Sequence, residues 1–126
     1  MRLVSLTVAK NPKKRFTIKF SDPAKTISFG DSEGETYIDH HDKIKRKNYI
    51  ARHEVNEDWT TVNAGSLSRY ILWGSSTDLR TNLLKYLKRY DIEHDIMERR
   101  IYKYNTKNKN ERSSTKEEAY TKIRIF

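Results

Sequence analysis

The sequence predicts an α+β fold, with an N-terminal antiparallel sheet packed by two or three helices and a C-terminal hairpin or arm. Three observations carry that expectation. Apolar and polar residues alternate over residues 3–10 and again over residues 15–20, with a turn between the two runs. Leucines recur at helical intervals over residues 78–90. Proline- and glycine-bearing breaks separate the periodic segments.

The first run puts Val4, Leu6 and Val8 on one face, as period-two spacing requires of a strand. Asn11-Pro12-Lys13-Lys14 supplies turn chemistry, because proline presets its φ and asparagine tolerates turn geometry. Phe16, Ile18 and Phe20 resume the alternation, so this second strand is expected to pair back antiparallel. Ser21-Asp22-Pro23 is the next turn, and residues 26–29 read as a short third strand ended by Gly30.

Residues 31–35 form an acidic, glycine-containing loop. Helical spacing begins near Asp39, whose carboxylate is placed to cap a helix start. Ile44, Tyr49, Ile50 and Ala51 give a weak apolar stripe through Arg52, and residues 56–62 read as a loop pinned by Trp59. Asn63 is placed to cap a short helix over residues 64–73, which Gly74 is expected to stop by taking the left-handed conformation. Ser76 or Thr77 is expected to cap the clearest helix, residues 78–90. Leu79, Leu83, Leu84, Leu87 and Tyr90 fall on one side of it, and Arg80, Lys85, Lys88 and Arg89 on the rest. This divides the chain into a compact α+β domain, 1–90, and an extension, 91–126. In the extension residues 100–104 and 120–126 alternate like strands around a polar segment, 105–115, giving either a hairpin or an arm ordered by a partner.

With 126 residues, 35% hydrophobic against 34% charged, the chain supports one domain with a thin core, which its 8 Tyr, 4 Phe and 2 Trp help to fill. The absence of cysteine excludes disulfides, thiolate catalysis and cysteine-bound zinc. The longest apolar run is Tyr70-Ile71-Leu72-Trp73, far short of a bilayer span, and Met1-Arg2-Leu3-Val4-Ser5 lacks a signal-peptide core. A soluble, non-secreted protein with no membrane span is therefore expected. The net charge of +9 is uneven: +6 over residues 1–30, −3 over 31–60, +4 over 61–90 and +2 thereafter. Such a surface favours anionic partners.

No catalytic, cofactor or metal site is expected. His40, His41, Asp42 and His53 offer zinc-type ligands, but adjacent histidines on a helix point about 100° apart, so capping and packing roles are the better reading. Asp31, Glu33, Glu35 and Asp39 do not follow the spacing of a calcium loop. Ser66 and Ser68 sit in no strained nucleophile elbow and suit the first turn of a helix. Lys43, Lys45, Arg46 and Lys47, with the basic side of residues 78–90, could track phosphates, while Tyr49, Tyr86 and Tyr90 are available either to bases or to the core.

An ordered string of motifs runs through the middle of the chain. Phe29-Gly30 is followed by Tyr37-Ile38-Asp39-His40-His41-Asp42, by Tyr49-Ile50-Ala51-Arg52-His53 and by Glu57-Asp58-Trp59. Ala64-Gly65-Ser66-Leu67-Ser68-Arg69-Tyr70-Ile71-Leu72-Trp73-Gly74 completes it. Over residues 15–90 this string resembles a family of small, functionally uncharacterised proteins of large DNA viruses of algae and amoebae. The resemblance implies a non-enzymatic virion protein, a minor capsid component that bridges or cements larger capsid proteins. It would be located in the virion and, during assembly, in the host cytoplasm. The alternative is a basic accessory protein that contacts nucleic acid nonspecifically during viral replication or packaging.

Within that string Arg52, Trp59, Arg69 and Trp73 are the expected anchor residues, the arginines pairing with carboxylates among Asp39, Asp42 and Glu57. Arg80, Lys85, Lys88 and Arg89 are the expected contacts to an anionic surface.

Overall fold

Two hairpin turns set the sheet. The computed structural model describes residues 1–96, in which β1 (Arg2–Val8), β2 (Lys14–Ser21) and β3 (Lys25–Asp31) pair antiparallel in the order β1-β2-β3. At the first turn Asn11 uses its side chain to accept from Lys13 N at 3.0 Å and its carbonyl to accept from Lys14 N at 3.0 Å. Across the strands Leu6 faces Ile18, Ile18 faces Ile27, and Phe16 faces Phe29, building one apolar face.

One strand departs from simple alternation. The β1 register shifts between Leu3 and Ser5, so Val4 is an extra residue opposite β2. This bulge turns Leu3 onto the buried side with Leu6, whereas Val4 points outward and is 42% exposed. The alternation of one strand cannot reveal a bulge, which exists only relative to the partner strand.

The helical segment expected near Asp39 is two helices. In α1 (Tyr37–His40) the Asp39 carboxylate reaches back to accept from Thr36 N at 2.7 Å and Thr36 Oγ1 at 3.0 Å. His41, at φ 57°, ends α1. Asp42 then starts α2 (Lys43–Glu54) by accepting from Ile44 N at 2.9 Å and Lys45 N at 3.1 Å. Ile44 is 72% exposed, and Tyr49 is the buried residue of α2. The stripe read from the sequence is therefore not a core face.

Asn63 caps α3 (Ala64–Leu67), accepting from Ser66 N at 2.8 Å. This helix runs straight into a π-helical turn, Ser68–Leu72, closed by Trp73 N donating to Ser68 O at 3.0 Å. Leu67, Ile71 and Leu72 are buried, and Trp73 is left half-buried at the end. Gly74 follows with no positive φ, unlike Gly30 at φ 83°. Its role is close approach: a Cβ there would sit 2.6 Å from Asn82 Cγ and against the Tyr70 carbonyl.

Asp78, rather than Ser76 or Thr77, caps α4 (Leu79–Arg89), accepting from Thr81 N at 2.9 Å. Leu79, Leu83, Tyr86 and Leu87 pack against the sheet and the π turn. Arg80 is only 6% exposed, because it shares the i, i+3, i+7 stripe of Leu83 and Leu87, so it does not belong to the open cationic side. Buried Asn82 joins the two helical elements: its amide donates to Ile71 O at 2.8 Å and Ser76 O at 2.7 Å, and its Oδ1 accepts from Ser76 N at 3.1 Å.

The core lies between the sheet and the helices: Leu6, Ile18 and Phe29 meet Ile71, Leu83 and Leu87. Ile92 and Ile96 join it as the chain returns beside β1, where Leu3 N donates to Glu93 O at 2.8 Å. Arg2 there pairs with Glu93 and Asp95. The expected C-terminal strands, 100–104 and 120–126, and the polar segment 105–115 lie outside the described residues. Among the described residues no helix is long and apolar enough to cross a membrane.

Candidate functional site

The α2 cap aims Arg46, Tyr49 and His53 at the end of the π turn, because these positions recur at i, i+3 and i+7. There the rings form a ladder. Tyr49 stacks on Trp73 with centroids 4.2 Å apart and planes 3° from parallel. His53 also stacks on Tyr49, at 4.2 Å, and His40 packs edge-on against Trp73 at 5.3 Å. Glu57 closes the end, hydrogen-bonded to His53 Nδ1 and accepting from Trp59 Nε1 at 3.0 Å. Burial, with the nearby Glu57 charge, pushes the Tyr49 hydroxyl up to about 12. His40 Nδ1 accepts from Asp42 N at 2.9 Å, so both histidines serve packing and capping. Among the described residues no group of three or more His, Asp or Glu side chains is placed to hold a metal ion.

The carboxylates expected to pair with Arg52 and Arg69 have other partners. Arg15 takes Asp39 in a bidentate pair, with Nη1–Oδ2 at 2.7 Å and Nη2–Oδ1 at 2.9 Å. Burial pushes the Asp39 carboxyl up, but the bonds from Arg15 and Thr36 outweigh it and hold the group below its ordinary value. Asp42 is spent on the start of α2, and Glu57 on His53 and Trp59. Among the described residues Arg52 is exposed and has no ion pair.

Arg69 instead donates Nη1 to Trp73 O at 3.1 Å and lies over the rings of Trp59, at 5.3 Å, and Tyr70, at 4.7 Å. Burial lowers its guanidinium pKa, and the nearby charges of Arg46 and Arg89 lower it further. Arg46 donates Nε to Trp73 O at 3.1 Å and Gly74 O at 2.9 Å, and Arg89 stacks over Tyr70 at 4.0 Å.

Two concavities flank this framework. A groove of about 950 Å³ opens between the β2–β3 end of the sheet and α2. Tyr49, Leu72 and Trp73 form its floor; Lys13, Lys14 and Arg52 lie on its rim with Asp31, Glu35 and Asp58. A smaller cleft of about 450 Å³ is bordered by Arg46, Arg69, Lys85, Lys88 and Arg89, with Tyr70, Tyr86 and Ser75. Of the eight residues singled out from the sequence, Arg52 and Trp73 meet at the groove, whereas Arg69, Lys85, Lys88 and Arg89 meet at the cleft. Trp59 lies beside Arg69, and Arg80 belongs to neither.

Sequence reasoning placed Arg46 among surface lysines and missed its link to Arg69. The signal available was the pairing of a basic helix with the Arg69-Tyr70 dipeptide, and neither fixes a distance. Buried Asn82 was also missed, although asparagine amid helix-spaced leucines is a mark of an internal polar tie.

Residues 4–53 match the model of a family of unknown function, DUF5754. This segment runs from β1 to the last turn of α2 and contains the Arg15–Asp39 pair, Arg46, Tyr49 and Arg52. No curated protein matches the chain, and no solved structure does.

Proposed function

We propose that this chain is a non-enzymatic structural component of a virus particle, a minor capsid protein that bridges or cements larger capsid proteins. The observation that carries a docking role is the groove beside the ring ladder. Tyr49 and Trp73 on its floor are already fixed by stacking, so these side chains would lose little rotamer entropy when a partner binds. Its rim mixes both charge signs around exposed Arg52, the composition of a protein interface with a central apolar anchor and a polar surround. The occupant that fits is an extended segment of a larger capsid protein, presenting an apolar side chain between charges of both signs. The particle setting is supported by the ordered motifs of residues 29–74.

Mass spectrometry of purified particles tests the reading. Many copies per particle in the shell fraction are expected, and absence from that fraction would overturn it. A second reading, a basic accessory protein on nucleic acid, is favoured by one observation, the cationic cleft on the other concavity. Duplex DNA affinity that falls steeply with salt, with a log–log slope near −0.9 for each phosphate neutralised, would select it.

A further inference from the structure

We infer that the cleft between α2, the π turn and α4 is a binding site for a single phosphate group, held by Arg46, Arg69, Lys85, Lys88 and Arg89. This does not depend on the groove reading above, since the two concavities share no lining residue.

Five cationic side chains border the cleft, and among the described residues no carboxylate does. Like charges brought together repel, so such a cluster is held best where its members are fixed by other contacts. Four of the five have such contacts, and Lys88 is exposed. Two backbone carbonyls, of Trp73 and Gly74, hold Arg46 Nε; the Trp73 carbonyl also holds one Arg69 nitrogen; the Tyr70 ring holds Arg89; Ser75 Oγ accepts from Lys85 Nζ at 2.8 Å. Each contact occupies part of the donor set. A guanidinium has five N–H groups and an ammonium three, so donors remain for an oxyanion. Arg69 Nε is buried with no hydrogen-bond partner among the described residues, and so lies out of reach of a ligand in the cleft.

The ligand class follows from charge and shape. A phosphate group carries up to two negative charges and several acceptor oxygens, which matches guanidinium forks arranged around one volume. Base stacking is disfavoured, because the Tyr70 ring is already covered by Arg69 and Arg89, and Tyr86 is fully buried with its hydroxyl 2.8 Å from Ser66 Oγ. The cleft therefore suits a discrete phosphate better than a run of nucleotides.

Calorimetric titration of inorganic phosphate into the full chain at fixed ionic strength tests this. Saturable one-to-one binding is expected, weakened about tenfold or more by Lys85→Gln with Lys88→Gln, as loss of charge-assisted hydrogen bonds implies. Lys13→Gln with Lys14→Gln, on the other groove, should leave it unchanged. Arg69→Met should abolish binding; since Arg69 is half-buried, that variant is read only if its melting temperature matches the parent, and the exposed lysine pair otherwise decides. A parallel titration with glycerol phosphate identifies the source: equal affinity assigns the free ion, and tighter binding assigns a phosphate monoester that uses the remaining volume. Absence of saturable binding, an affinity indifferent to the lysine pair, or complete replacement of the effect by chloride would overturn the site. Steeply salt-dependent binding of DNA with no binding of phosphate would overturn it in favour of an extended polyanion surface.

Discussion

The sheet with α4 and the α1–α2 arm are held by different physics. Between the sheet and α4 the contacts are apolar and enclosed: Leu6, Ile18, Ile71, Leu83 and Leu87 are all fully buried. The arm, in contrast, has Tyr49 as the buried residue of α2 and is fastened by a ring stack, two bonds from Arg46 Nε and the Arg15–Asp39 pair. Burial stabilises in proportion to area and tolerates small shifts, whereas stacks and ion pairs depend on geometry and on ionisation. The difference separates a region held by burial from one held by directional contacts. Both concavities join the two regions: the groove takes Tyr49 and Arg52 from α2 with Lys14 and Phe29 from the sheet, and the cleft takes Arg46 from α2 with Lys85, Lys88 and Arg89 from α4.

Substitutions should separate the two regions. The largest effect is expected from Leu83→Ala, which opens a cavity in the enclosed layer. A loss of about 2–5 kcal/mol is predicted, read by denaturant unfolding, with sheet and helix signals lost together. Gly74→Ala is next, because its Cβ would press on the Tyr70 carbonyl and on Asn82. About 1–3 kcal/mol is expected from such overpacking, checked by the same denaturant midpoint. Tyr49→Leu keeps most of the buried area but removes both ring stacks of α2, and should cost less, about 1 kcal/mol. Its signature is local: amide exchange over residues 43–54 should accelerate while protection in β2 and α4 is retained. Simultaneous loss of protection in all three would show that the arm and the core are one unit.

The smallest effect is electrostatic. Asp39 has a folded-state pKa below its ordinary value, so its contribution is fully present above the unfolded value of about 4 and is lost as pH falls through the lower folded value. Asp39→Asn should flatten the acid limb of a stability–pH profile below about pH 4 and leave the neutral region nearly parallel to the parent. An unchanged acid limb would mean that the Arg15 pair contributes nothing there.

Much of the enclosed layer was legible from the sequence. Period-two runs at Phe16-Thr17-Ile18 and leucines at 79, 83 and 87 report burial directly, because one face of each element meets one apolar layer. The bulge at Val4 was not, since it depends on the partner strand; the π turn before Trp73 and the close approach of Gly74 to Tyr70 and Asn82 are local, but no apolar periodicity marks them. The same holds for the arm. The sequence marks Arg52, Arg69 and Trp73 as unusual, but a carboxylate's partner is decided by three-dimensional competition, and Arg15 claims Asp39 from 24 residues away. Charge counting found the basic side of α4 and assigned Arg80 to it, although helical phase places that residue with Leu83 and Leu87.

Docking through the groove is the centre of this account, and two native lysines on its rim make it accessible. Cross-linking of intact particles with an amine-reactive reagent, followed by peptide mass spectrometry, reports directly on what lies within reach of Lys13 and Lys14. Cross-links from these two lysines to a larger capsid protein are predicted. A protein recovered from the shell whose Lys13 and Lys14 link only to its own chain, while lysines elsewhere on it reach the capsid, would contradict it.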